Sequence, residues 1–130
     1  MESDGLTVRG LAHEKITGGI IGAAFEVFGV LGYGFLEKVY KQAMKVELEM
    51  RGFVCETEHP IIVTYKGQQV GEYYADLLVE RCVAVELKVA PEYSAKDEAQ
   101  LLNELKATNL RVGLLINFGR TKVEFRRLVF

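Results

Sequence analysis

The residues best suited to chemistry are three charges set in apolar surroundings: Asp76 in "YADLLVE", and Glu86 and Lys88 in "VAVELK". Side chains alternate across a strand, so Val83, Val85 and Leu87 point one way and Ala84, Glu86 and Lys88 the other. Asp76 shares its face with Leu78 and Glu80. A hairpin with a three-residue loop, Glu80, Arg81 and Cys82, sets Asp76 directly opposite Glu86. A two-residue loop would put them on opposite faces. Facing carboxylates repel, and more strongly away from water. A divalent cation offsets that repulsion, and carboxylates with a backbone carbonyl suit a hard ion such as Mg²⁺ or Mn²⁺. Such an ion can activate water and stabilise charge developing on a phosphodiester, while a lysine positions the water or a phosphate. A salt-bridged, solvated sheet face would account for the same three residues.

These strands need a scaffold. The chain has 130 residues, 49% of them hydrophobic and 26% charged, which suits a single soluble globular domain with one core. The net charge of -2 gives no global pull toward nucleic acid, so polyanion binding would need a local basic patch or metal ions. No apolar run reaches the roughly 18 residues of a membrane span. "MESDGLTVRG" is polar and does not read as a signal peptide; residues 1–10 are expected to form a flexible N-terminal segment. Cys55 and Cys82 lack metal-site spacing and are expected to be free thiols in a reducing cytoplasm.

Periodicity predicts a helix over residues 11–29, with Ile16, Ile20, Ala24 and Val27 on its stripe, and glycines that either weaken it or allow close packing. A second helix is predicted over 35–51, with Gly52 as its C-terminal cap. The middle is strand-rich. "FVCETEH" and "IIVTYKG" flank Pro60, and "VGEYYADLLVE" and "CVAVELKVA" follow. Ser94 opens a third helix over 94–108, with Asp97 as a capping-box variant. "RVGLLINF" and "KVEFRRLVF" close the chain as strands. A central mixed β-sheet flanked by helices, an α/β architecture, is the natural outcome.

Two helical segments add to the strand charges. In "GFLEKVY", Glu37 and Tyr40 lie one turn apart with Lys41 beside them. In "EAQLLNELK", Gln100 has Lys96 and Glu104 one turn away on either side. Taken alone, the first fits dipole compensation in an opening turn and the second a solvated helix face.

Gly34, Glu37 and Tyr40 match the pattern that names the GxxExxY protein family, which is grouped with the PD-(D/E)xK nuclease superfamily. The chain resembles that family over nearly its whole length, through "YADLLVE", "VAVELK", "AQLLNELK" and "VGLLINFG" in order. The resemblance implies a restriction-endonuclease-like core and metal-dependent hydrolysis of nucleic acid, DNA or RNA, with Mg²⁺ or Mn²⁺. It implies that Asp76, Glu86 and Glu37 are metal ligands, with the Leu87 carbonyl as a further ligand. Lys88 becomes the catalytic lysine, Gln100 supports the site or contacts phosphate, and Tyr40 lines the same pocket. Two positions depart from the family pattern: Phe28 stands where a His is frequent, and Glu104 where a Tyr is frequent. Glu104 would either tighten metal binding or repel a phosphate backbone.

A non-catalytic binding module on the same fold is the competing expectation. A domain this small has little surface for gripping a duplex, and a homodimer is one way to cover two strands. His13 and His59 have no flanking ligands. Tyr65, Tyr73 and Tyr74 read as strand-surface packing, and Arg120, Lys122, Arg126 and Arg127 as either an exposed strand face or a phosphate-binding edge.

Overall fold

A computed structural model describes residues 13–130. The segment expected over residues 1–10 lies outside them, as do residues 11 and 12 of the first predicted helix. Among the described residues the order is α1 (Glu14–Leu31), α2 (Glu37–Met50), β1 (Cys55–Tyr65), β2 (Gln68–Val79), β3 (Val83–Lys88), α3 (Ala95–Thr108), β4 (Val112–Phe118) and β5 (Val123–Val129).

The five strands form one mixed sheet in sequential order. β3 and β4 are parallel, and every other neighbouring pair is antiparallel. α3 makes the connection that a parallel pair requires. The alternation in β3 divides its side chains as the sequence demands. Val83, Val85 and Leu87 join Val112, Leu114, Ile116 and Phe118 in a core with Ile20, Ala24, Met44 and Leu48 of α1 and α2. Ala84 packs on the opposite face with Leu115, Leu128 and the α3 residues Leu101 and Leu105. The result is the restriction-endonuclease-like α/β arrangement, with α1 and α2 on one face of the sheet and α3 on the other.

α1 runs through its glycines because they make room for neighbours. A Cβ on Gly19 would fall 2.5 Å from the Phe53 ring, and one on Gly22 would fall 2.8 Å from the Arg51 guanidinium. α2 ends in a Schellman arrangement. Phe53 N–H donates to Leu48 O at 2.9 Å and Gly52 N–H to Glu49 O at 3.0 Å, with Gly52 at φ +91°. At α3, the Ser94 hydroxyl accepts from Lys96 N–H at 3.3 Å.

The two strands expected on either side of Pro60 are a single strand. β1 continues through Pro60, which pairs with Tyr74. β1 lies at the sheet edge, where a residue without an N–H need not cost a ladder bond. Among the described residues, no helix is long and apolar enough to cross a membrane.

Candidate active site

The turn between β2 and β3 is the device that aligns the strand charges. Val79 pairs with Val83, Leu78 with Ala84 and Leu77 with Val85, so the loop is Glu80, Arg81 and Cys82. Glu80 and Arg81 both have φ +54°, a conformation that costs an L-residue about 1–2 kcal/mol. The loop is tied down in compensation. Cys82 N–H donates to Val79 O at 3.0 Å, Glu80 N–H to Val54 O at 2.8 Å, and Val54 N–H to Glu80 Oε2 at 2.6 Å.

The next level of this register sets Asp76 opposite Glu86, and here side chains replace backbone. Leu87 N–H donates to Asp76 Oδ2 at 2.7 Å, and Asp76 N–H donates to Glu86 Oε2 at 3.3 Å. On the other side of β2, Thr57 pairs with Leu77 and His59 with Ala75. Glu58, between them, has φ +55° and forms an ion pair with Lys41 of α2. Asp76 therefore sits at the break where the β2–β3 ladder ends, across from the distorted Glu58 of β1.

Negative charge accumulates at this break. Glu86 is only 7% exposed. Burial first, then the charges of Asp76 and Glu104, hold its carboxyl far above the ordinary range. Burial also raises Asp76, while the Leu87 N–H, Lys41 and Lys88 pull it back. Glu37 opens α2 and is raised by burial and then by the Asp76 charge, with Lys88 and Lys41 opposing. Lys88 Nζ stands 3.9 Å from Asp97 Oδ1 at the start of α3. The structure thus brings Asp76, Glu86, Lys88 and Glu37 into one electrostatic group.

Two other predicted residues have their partners outside these four. Tyr40 is fully buried and stacks on Phe118 with ring centroids 4.4 Å apart. Its hydroxyl donates to the Gly32 carbonyl and accepts from Phe35 N–H at 3.4 Å. Gly34 lies in that turn at φ +115°, where glycine is favoured. Gly34, Glu37 and Tyr40 thus form a turn, a helix start and the pin that fixes the turn, and Tyr40 holds Glu37 in place from below. Gln100 is exposed and donates from Nε2 to Glu104 Oε2 at 3.2 Å.

Sequence reasoning passed over Asn117. It is 1% exposed and pairs with Lys88 across the parallel ladder. Its Oδ1 accepts from Ala90 N–H at 2.9 Å, and its Nδ2 donates to Ala90 O at 3.0 Å. That clamp fixes the chain just beyond Lys88. The signal was a lone amide in "GLLINF", since a buried polar side chain must find partners. The tyrosines and the C-terminal basic residues form no part of this group. Tyr73 and Tyr74 are half-exposed on β2, and Arg126 approaches Glu98 at 3.9 Å.

The donor set consists of oxygens with an excess of negative charge, which is the chemistry a hard divalent cation takes. Glu104 Oε1 is buried with no hydrogen-bond partner. Among the described residues, no three His, Cys, Asp or Glu side chains already close on one point. The fit lies in donor type and uncompensated charge.

A family model described as the PD-(D/E)XK nuclease superfamily matches residues 14–128. The chain belongs to the PD-(D/E)XK nuclease superfamily. No curated protein matches it significantly. The crystal structure of SSO0001 superposes with a TM-score of 0.55 at 16% identity, covering 93% of this chain. This chain spans 61% of the length of SSO0001, and the likeness is one of fold.

Proposed function

We propose that the protein is a divalent-metal-dependent hydrolase that cleaves phosphodiester bonds in nucleic acid, DNA or RNA, and that it belongs to the GxxExxY branch of its superfamily. The observation that carries this reading is the opposed pair Asp76 and Glu86 at the end of the β2–β3 ladder, with Lys88 two residues beyond Glu86 on the same face. Membership of a nuclease superfamily supports it, and so does the excess of carboxylates over cations at the break. Cys55 and Cys82 are free, which suits a cytoplasmic setting.

Asp76, Glu86 and Glu37 would hold Mg²⁺ or Mn²⁺, with the Leu87 carbonyl as a further oxygen donor. When bound, the ion supplies an activated water and stabilisation of charge on the phosphate. Lys88, charged beside Asp97, would orient the attacking water or hold a phosphate oxygen. Asp97 keeps the lysine over the site, and the Asn117 clamp fixes the backbone that carries it. Gln100 stands at the rim, where its amide can meet a phosphate oxygen.

The test is cleavage of mixed DNA and RNA substrates with Mn²⁺ by wild type, Lys88→Ala and Glu86→Ala. Cleavage by wild type that both substitutions reduce by about 10²–10⁴-fold would support the assignment. Activity that survives both would refute it. Metal binding without cleavage of any substrate would leave a non-catalytic binding module on the same fold.

A further inference from the structure

The buried polar side chains among the described residues are Thr17, Glu86, Glu104 and Asn117. Three of them have their partners. Thr17 Oγ1 donates to Glu14 O at 3.1 Å, Asn117 clamps Ala90, and Glu86 accepts from Asp76 N–H. Glu104 is different. It is 4% exposed and sits between Leu101 and Leu105 on the face of α3 that packs on the sheet. Its Oε2 accepts from Gln100, but its Oε1 is buried with no donor. Its negative charge acts on Glu86 of β3.

A buried acceptor without a donor forfeits its hydration, and a second buried carboxylate beside it makes the loss greater. Asp76, Glu86 and Glu104 form a row of carboxylates across β2, β3 and α3. One shared proton would leave two negative charges in that row, whereas a divalent cation neutralises two. A pocket of about 260 Å³ reaches Glu104, lined by Ile61, Val63 and Tyr73 of the sheet and by Gln100, Asn103 and Glu104 of α3.

We propose that Glu104 is a further ligand of the metal centre, so that the cation is shared between the Glu86 and Glu104 carboxylates in the space between β3 and α3. The inference rests on the metal-centre reading above and adds to it a ligand from α3. As a ligand, Glu104 would tighten cation binding.

The test is calorimetric titration with Mn²⁺ alone, together with melting curves with and without Mn²⁺, for wild type, Glu104→Gln, Glu104→Asp and Asp76→Asn. Loss of the ligand should weaken Mn²⁺ binding by about tenfold or more in Glu104→Gln. The same variant should melt higher than wild type without metal, because it removes one buried charge, and gain less from Mn²⁺. Glu104→Asp keeps the charge with a shorter reach, and its affinity should fall between the two. If Asp76→Asn loses Mn²⁺ while Glu104→Gln binds it as wild type does, Glu104 is not a ligand and the metal centre stands without it. If wild type binds no Mn²⁺, both readings fall.

Discussion

Asp76 and Glu86 accept each other's side of the hairpin: the Asp76 carboxylate takes the N–H of Leu87, at 2.7 Å, and the Glu86 carboxylate takes the N–H of Asp76, at 3.3 Å. The two carboxylates therefore do structural work at the point where the β2–β3 ladder ends. They are also the groups on which the proposed chemistry depends.

These two demands separate by substitution. Asp76→Asn keeps a side-chain oxygen for Leu87 N–H, so metal-free stability should change by less than about 1 kcal/mol, while stabilisation by Mn²⁺ disappears. Asp76→Ala leaves that N–H without its acceptor and should cost about 1–3 kcal/mol more. Urea denaturation with and without Mn²⁺ checks both values.

The metal-free protein should lose stability as pH rises from the ordinary Glu value of 4.5. Glu86 is raised in the folded state, so above that pH the folded chain holds a proton that the unfolded chain has released. The slope of unfolding free energy with pH is then negative. The raised Asp76 and Glu37 act in the same direction. Denaturation of wild type and Glu86→Gln across a pH series should show the difference between them growing with pH. A flat difference would mean that Glu86 titrates as an ordinary carboxylate.

Tyr40→Phe should cost about 1 kcal/mol, the worth of one hydrogen bond to the Gly32 carbonyl, because stacking on Phe118 is kept. The Mn²⁺-induced rise in melting temperature should be unchanged, because the hydroxyl fixes the turn and does not enter the metal's donor set. Loss of that rise in Tyr40→Phe would place the hydroxyl at the metal.

Gly113 lies beneath α3, where an added Cβ would stand 3.1 Å from Leu101 Cδ2. Leu101 is fully buried and has little room to give. Gly113→Ala should therefore destabilise the fold by about 1–3 kcal/mol through overpacking. A neutral or stabilising result in urea denaturation would show that α3 can lift from the sheet.

Much of this architecture is legible in the sequence. The strands, the third helix and its Ser94 cap, and the Gly52 cap all follow from local pattern. Pro60 misled, because whether a proline ends a strand depends on whether that strand is an edge, and edge position is a property of the whole sheet. Tyr40 was legible in part: its spacing from Glu37 gives a shared helix side, but the ring's partner, Phe118, comes from a strand 78 positions later in the chain. Gln100 was legible only as a residue near Glu104, since its exposure depends on how α3 rolls onto the sheet.

What the sequence determined by itself is the alternation within each strand, which puts Lys88 on the face of Glu86 and Asp76 on that of Leu78 and Glu80. That Asp76 faces Glu86 depended on the odd loop of Glu80, Arg81 and Cys82, which the folded hairpin supplies. The tertiary structure alone decided what surrounds that pair. The N-terminus of α2 brings the Glu37 charge to bear on Asp76, and the β3–α3–β4 crossover buries Glu104 on the sheet-facing side of α3, where its charge acts on Glu86. Those approaches depend on which helix covers which face of the sheet, and that is settled by packing the apolar surfaces of the entire domain rather than by any short stretch of chain.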